Sequence, residues 1–130
     1  MKRINQIGRN YEDCGIACLA MVCDVTYMQA FLAIFRGNTY PPYDTGHKQL
    51  INGAHRLNKI ACLKKFKAFD DIKKRAIVAI NKKENGSWHW IAVDGTCEPV
   101  MGIDPKPSKK GKIKRIRGLN AVGMYIEITC

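Results

Sequence analysis

The stretch from Asn10 to Cys23 reads NYEDCGIACLAMVC: two acids, a cysteine, a glycine, then an unbroken run of apolar residues and cysteine. A cysteine in such a place is a core thiol, half of a disulfide, a metal ligand or a nucleophile. Cys14 falls at the start of a predicted helix, where free backbone N–H groups and the helix dipole stabilise a thiolate. Cys18 and Cys23 lie deeper in the same helix, where a thiol behaves as a small hydrophobe. Position alone therefore singles out Cys14 as the reactive candidate. Gly15 beside it leaves room for a substrate backbone to approach.

A nucleophilic thiol needs a base. Of the three histidines, His47 starts a predicted helix and His55 falls on that helix's polar side, so both read as surface residues. His89 stands in SWHWIAVD, at the entry of a strongly apolar strand. Taken alone, a histidine between two tryptophans is more often a packed residue than a catalyst. Strand alternation places His89, Ile91 and Val93 on one face and Trp88, Trp90, Ala92 and Asp94 on the other, so Asp94 points away from His89. Closing the hairpin with a four-residue loop, GTCE, pairs Asp94 with Pro99 and sets Asp104 opposite His89 on the same face. A two-residue turn at Asp94-Gly95 sets Val100 there instead. The longer loop is preferred because it pairs two polar residues at one depth.

Acyl transfer by such a thiol also needs donors for the oxyanion. The backbone N–H of Cys14 is one, and the side-chain amide of Gln6 is the candidate for the second. On sequence alone Gln6 reads equally well as an exposed residue of a flexible N-terminus. The chemistry calls for no metal and no cofactor. There is no CxxC pair, which argues against a structural zinc site. Trp88 and Trp90 are both candidates for a cleft wall, with core packing the expected role of at least one.

These residues have to be positioned by a small set of elements. Asp13 is placed to cap a helix from Cys14 to Cys23, Thr26 a second that Gly37 ends, and Thr45 a third carrying Leu50, Ile51, Ala54 and Leu57 on one side. The segment 38–46, NTYPPYDTG, reads as a loop. After Asn58 the pattern changes to short strand-like runs: IACLKKF, AIVAIN, WHWIAVD, VMGID, KIKRIR and AVGMYIEI. A helical turn near Asp70 separates the first two. Helices first and an antiparallel sheet afterwards make an α+β architecture. With 130 residues, the chain reads as one domain, 1–130.

Lys and Arg number 22 against 11 Asp and Glu, a formal net charge of +11. That favours acidic partners or an anionic surface. The densest part is the run from Lys106 to Arg117, read as a loop and an edge strand that lysine guards, or as a docking patch for an acidic partner lying across the sheet from Cys14. Nucleic acid is disfavoured, because the run lacks the interleaved aromatics of single-strand sites. No apolar run of about 18 residues is present, so no membrane span is expected. Glu12 and Asp13 stand where a signal peptide needs positive charge, so a cytoplasmic chain with reduced cysteines is expected.

Over nearly its whole length the chain resembles the papain-like peptidase domains that process bacteriocins by removing double-glycine leader peptides, at the N-terminus of dedicated export transporters. Asp13, Cys14, Gly15, Ala17, Leu19, Ala20 and Met21 match that family's cysteine motif. TGHKQLINGAHRLN is similar to its helix before the sheet, WHWIAV to its histidine strand and GIDP to its Asp-Pro segment, in the same order. The resemblance implies a papain-like fold, Cys14 as nucleophile, His89 as base and Asp104 as orienting acid. The family's oxyanion glutamine lies about six residues before the cysteine; Gln6 lies eight before it, and position 8 is glycine. The relatives belong to transporters with an ATPase, whereas this sequence has no GxxxxGK[ST] phosphate loop. The expectation is a thiol peptidase acting on a peptide or protein substrate. The alternatives are a thiol amidase or acyltransferase, or a basic binding module that keeps the fold without turnover.

Overall fold

The computed structural model of the chain describes residues 1–8, 12–37, 42–121 and 123–129. Helices α1 (Cys14–Cys23), α2 (Tyr27–Phe35) and α3 (His47–Arg56) come first. Strands β1 (Ile60–Lys65), β2 (Arg75–Ile80), β3 (His89–Asp94), β4 (Met101–Ile103) and β5 (Met124–Thr129) follow. They form one antiparallel sheet in the order β1-β5-β2-β3-β4. This is the expected α+β arrangement. No single helix among the described residues is long and apolar enough to cross a membrane.

All ten residues of α1 are buried. Its sequence is apolar all round, and a helix of that kind is stable only when enclosed on every side. It packs on β3 and β2 and is covered by α2 and α3. Gly53 on α3 permits the close approach of the helices: a Cβ there would meet Ile34 at 2.9 Å and Leu19 at 3.0 Å. Thr26 caps α2 with its hydroxyl on the Gln29 N–H, and the Gln29 side chain returns a bond from the Thr26 N–H. At the other end, Arg56 reaches from α3 to the Ala33 carbonyl, 2.6 Å away.

The sheet separates two apolar layers. Trp90 and Ala92 of β3 face α1, while Ile91 and Val93 face Phe69, Ile72 and Ile116 on the other side. β3 thus reads as a continuous apolar run because both of its faces are covered.

Three local expectations are corrected. Asp13 occupies the N-cap position of α1, but its side chain makes no cap bond. The N-cap of α3 is Gly46, not Thr45; the Gln49 side chain accepts the Gly46 N–H at 2.9 Å. KIKRIR forms no strand: it is turn followed by a 3₁₀ turn at Ile116–Gly118, so the lysine run is loop, not a guarded edge.

Candidate functional site

Cys14 is the first residue of α1 and is 8% exposed. His89 is the first residue of β3, so its ring stands at the end of the sheet, where the N-terminus of α1 arrives. The His89 Nε2–H donates to Asp104 Oδ1 at 2.8 Å, and the Cys14 thiol lies close enough to the ring to help raise its pKa. With Nε2 committed to the carboxylate, Nδ1 is the nitrogen left for the thiol. Asp104 Oδ1 also accepts the Lys106 N–H at 2.9 Å, which fixes the carboxylate from its own loop.

The β3–β4 register differs from the expected one by two residues. Ala92 pairs with Ile103 and Asp94 with Met101, so the loop has six residues rather than four. Pro99 has no N–H to give the ladder, and pairing starts only beyond it. A shift of two keeps every side chain on its face, so Asp104 still reaches His89, as a diagonal neighbour. Asp94 is turned away from the site: it accepts from Thr96 and lies 3.6 Å from the Arg75 guanidinium.

Electrostatics separate the titratable groups. Burial pulls the His89 pKa down, but the hydrogen bonds to Asp104 and Cys14 and the charges of both outweigh it and bring it to about 9. Burial pushes Asp104 up, and the bonds from His89 and the Lys106 N–H, with the charges of His89 and Lys109, pull it below the ordinary carboxylate value. Burial raises the Cys18 thiol well above its ordinary value, helped by Cys14 and Asp104, so Cys18 stays a neutral core group.

Gln6 lines the same cleft as Cys14, His89 and Asp104, a hollow of about 870 Å³. Its amide Nε2 donates one hydrogen to Asp13 Oδ1 at 3.1 Å, which leaves the other free. Asp13 is fully buried, and its second oxygen accepts from the Ile7 N–H and the Tyr27 hydroxyl, both at 2.8 Å. The carboxylate expected to cap α1 instead ties the N-terminal segment to the cysteine. That segment is also strapped to the loop after β4. Gln6 N–H donates to the Pro105 carbonyl at 2.8 Å, and Arg3 reaches the carbonyls of Asp104, Lys109 and Gly111. Gln6 is therefore no free tail residue. Arg3 and Tyr27 carry no motif, and their part in the site has no signal in the sequence. Asn10, a conceivable substitute donor, lies outside the described residues.

Gly15 is buried, and its missing Cβ serves packing rather than substrate approach. A side chain there would overlap the Thr45 hydroxyl and touch Trp90 at 3.1 Å. Trp90 belongs to the core and donates its Nε1–H to the Thr45 carbonyl at 2.9 Å, while Trp88 lines the cleft. His47 is not a bare surface residue: it packs against both tryptophans and bonds to the Met124 carbonyl. Lys106 and Lys109 line the cleft beside Cys14, so the basic run does not lie across the sheet from it. The described cysteines are all free. Among the described residues no group of three or more His, Cys, Asp or Glu side chains is arranged to hold a metal.

The fold is shared with solved peptidase domains. The peptidase domain of Streptococcus ComA, a bi-functional ABC transporter involved in a quorum-sensing pathway, is 22% identical with a TM-score of 0.67, over 98% of this chain and 97% of that one. The peptidase domain of Streptococcus mutans ComA is also 22% identical, with a TM-score of 0.66 and complete coverage of both chains. A double-glycine motif protease from an AMS/PCAT transporter, solved with its leader peptide, is 16% identical with a TM-score of 0.61, over 98% of this chain and 89% of that one. The papain-like architecture expected from the sequence is the architecture of these domains. No protein-family model matches the chain, and neither does any curated protein.

Proposed function

We propose that the chain is a cysteine peptidase that cuts its substrate through a covalent acyl-enzyme. The observation that carries this reading is the His89 imidazole held between the Asp104 carboxylate and the Cys14 thiol in an open cleft. His89 accepts the Cys14 proton, leaving a thiolate beside an imidazolium. The thiolate attacks the scissile carbonyl, and the oxyanion is held by the Cys14 N–H and the free hydrogen of the Gln6 amide. His89 gives its proton to the leaving amine, and the C–N bond breaks. Water, deprotonated by His89, then cleaves the thioester to release the acid and restore the thiol. Asp104 keeps the ring in the productive tautomer and stabilises the imidazolium. The likeness to a double-glycine protease solved with its leader peptide supports cleavage after a Gly-Gly pair. The setting is the cytoplasm, and the whole chain acts as one domain.

The test is intact mass of the protein after brief treatment with iodoacetamide at neutral pH, alongside incubation with a Gly-Gly peptide. One fast adduct on Cys14 and two product peptides are the expected result. Slow, even labelling of all the thiols with no cleavage would reject the enzyme in favour of a binding module.

Gln6→Ala separates the oxyanion donor from the nucleophile. Loss of one such donor costs about 10²–10³ in rate, so peptide cleavage should fall by that order. Alkylation by iodoacetamide displaces iodide at an sp³ carbon and builds no oxyanion, so it should continue at nearly the parent rate. An equal fall in both would assign Gln6 a role in holding the thiol instead.

A further inference from the structure

Cys14 and Trp88 are shared by two hollows whose other lining residues are different. One is walled by Lys83, Lys106 and Lys109. The other carries Glu12 and Asp44 and no lysine or arginine. The lysines come from separate segments, Lys83 from the turn after β2 and the other two from the loop after β4, and the fold brings them together. None of the three takes part in an ion pair among the described residues. The one acid on their side, Asp104, is already engaged with His89 and the Lys106 N–H. An excess of +11 spread without purpose would leave lysine on both arms. Here the sign changes across the thiol instead.

Resting on the peptidase reading, we propose that the cleft selects a polarised peptide. The substrate carries an acidic segment on one flank of the scissile bond, lying along the lysine arm. The flank over Glu12 and Asp44 is free of carboxylates, because a like charge there is repelled. The lysines supply specificity and encounter rate, and Trp88 at the junction supplies a flat apolar wall for the residues next to the cut.

Two fluorogenic peptides of identical composition test this, each with a central Gly-Gly and three glutamates either before it or after it. Three exposed charge pairs should separate the isomers by about tenfold in kcat/KM at low salt. The preference should shrink at 1 M salt, where the Debye length is about 3 Å. Charge reversal at K83E, K106E and K109E together should erase or invert the ratio between isomers, which general damage to the site would leave unchanged. The same reversal at K64E, K65E and K67E, which flank a separate hollow with Asp71 and Tyr125, should preserve it. Equal cleavage of both isomers by the parent protein overturns the proposal, as does an equal loss of preference in the second variant. If neither peptide is cut, both are titrated onto Cys14→Ala and followed by anisotropy. A tenfold difference in Kd then keeps the polarised cleft while the peptidase reading falls; equal or undetectable binding overturns the cleft as well.

Discussion

Cys14→Ala is expected to abolish peptide cleavage, by a factor on the order of 10⁵ or more if the thiol is the nucleophile. The fold should survive, because the change removes one sulfur at the edge of the core, and the residue is already 8% exposed. Fast alkylation should vanish with it, since the other cysteines of α1 are buried and Cys18 is held as a neutral thiol. Cys18→Ala gives the opposite pattern. Its side chain is fully enclosed, so the cavity should cost about 1 kcal/mol or more and lower Tm, while activity per folded molecule stays. Cys14→Ala should also lower the pKa of His89, because the bond to the thiol and its charge both raise it. NMR titration of the His89 ring reads that directly. Undiminished cleavage by Cys14→Ala would remove the central assignment.

The contrast between these two cysteines was legible because burial and helix position are local properties of the sequence. So were the bounds of α1 and the start of α2, where Asp13 and Thr26 stand directly before apolar runs. Contacts between distant segments were not. Asp13 adopts φ −92° and ψ 18°, not the extended backbone of a capping residue, and its carboxylate is taken by Gln6, Ile7 and Tyr27. Nothing near Asp13 in the chain announces those donors.

KIKRIR was misread for a different reason. Its isoleucines, Ile113 and Ile116, stand three apart, a spacing that strict alternation does not produce. Ile116 is buried in a 3₁₀ turn, and Ile113 is bound through its N–H to the Gly102 carbonyl. The charged residues between them merely gave the look of a strand. The register of the histidine hairpin departs from the expectation at Pro99, whose missing N–H delays the pairing to Met101. Asp104 still lies beside His89 because a shift of two preserves the face.

His89→Ala should lower cleavage on the order of 10⁴-fold or more, since the same imidazole serves as base and acid. Asp104→Asn should lose less. The amide oxygen still accepts the Nε2–H and orients the ring, and what disappears is a charge of the kind worth roughly 1–3 pKa units to a neighbour; a loss of about 10–100-fold follows. Asp94→Asn, whose side chain serves Thr96 and Arg75, should change activity about twofold at most. The pH profile distinguishes orientation from charge. His89 is raised from 6.5 to about 9, so the imidazolium partner of the thiolate is present below that pH and lost above it. The alkaline limb of kcat/KM should therefore fall near pH 9 in the parent. In Asp104→Asn it should move down, because the bond to Asp104 and its charge both hold the value up. The stability linkage has the same sign: a raised pKa contributes stability that is complete below about 6.5 and lost as pH rises through about 9. Thermal unfolding across that window should show a decline in the parent that is weaker in Asp104→Asn. An alkaline limb that stays in place in Asp104→Asn, or a larger loss at Asp94 than at Asp104, would mean that Asp104 is not the acid that holds the base.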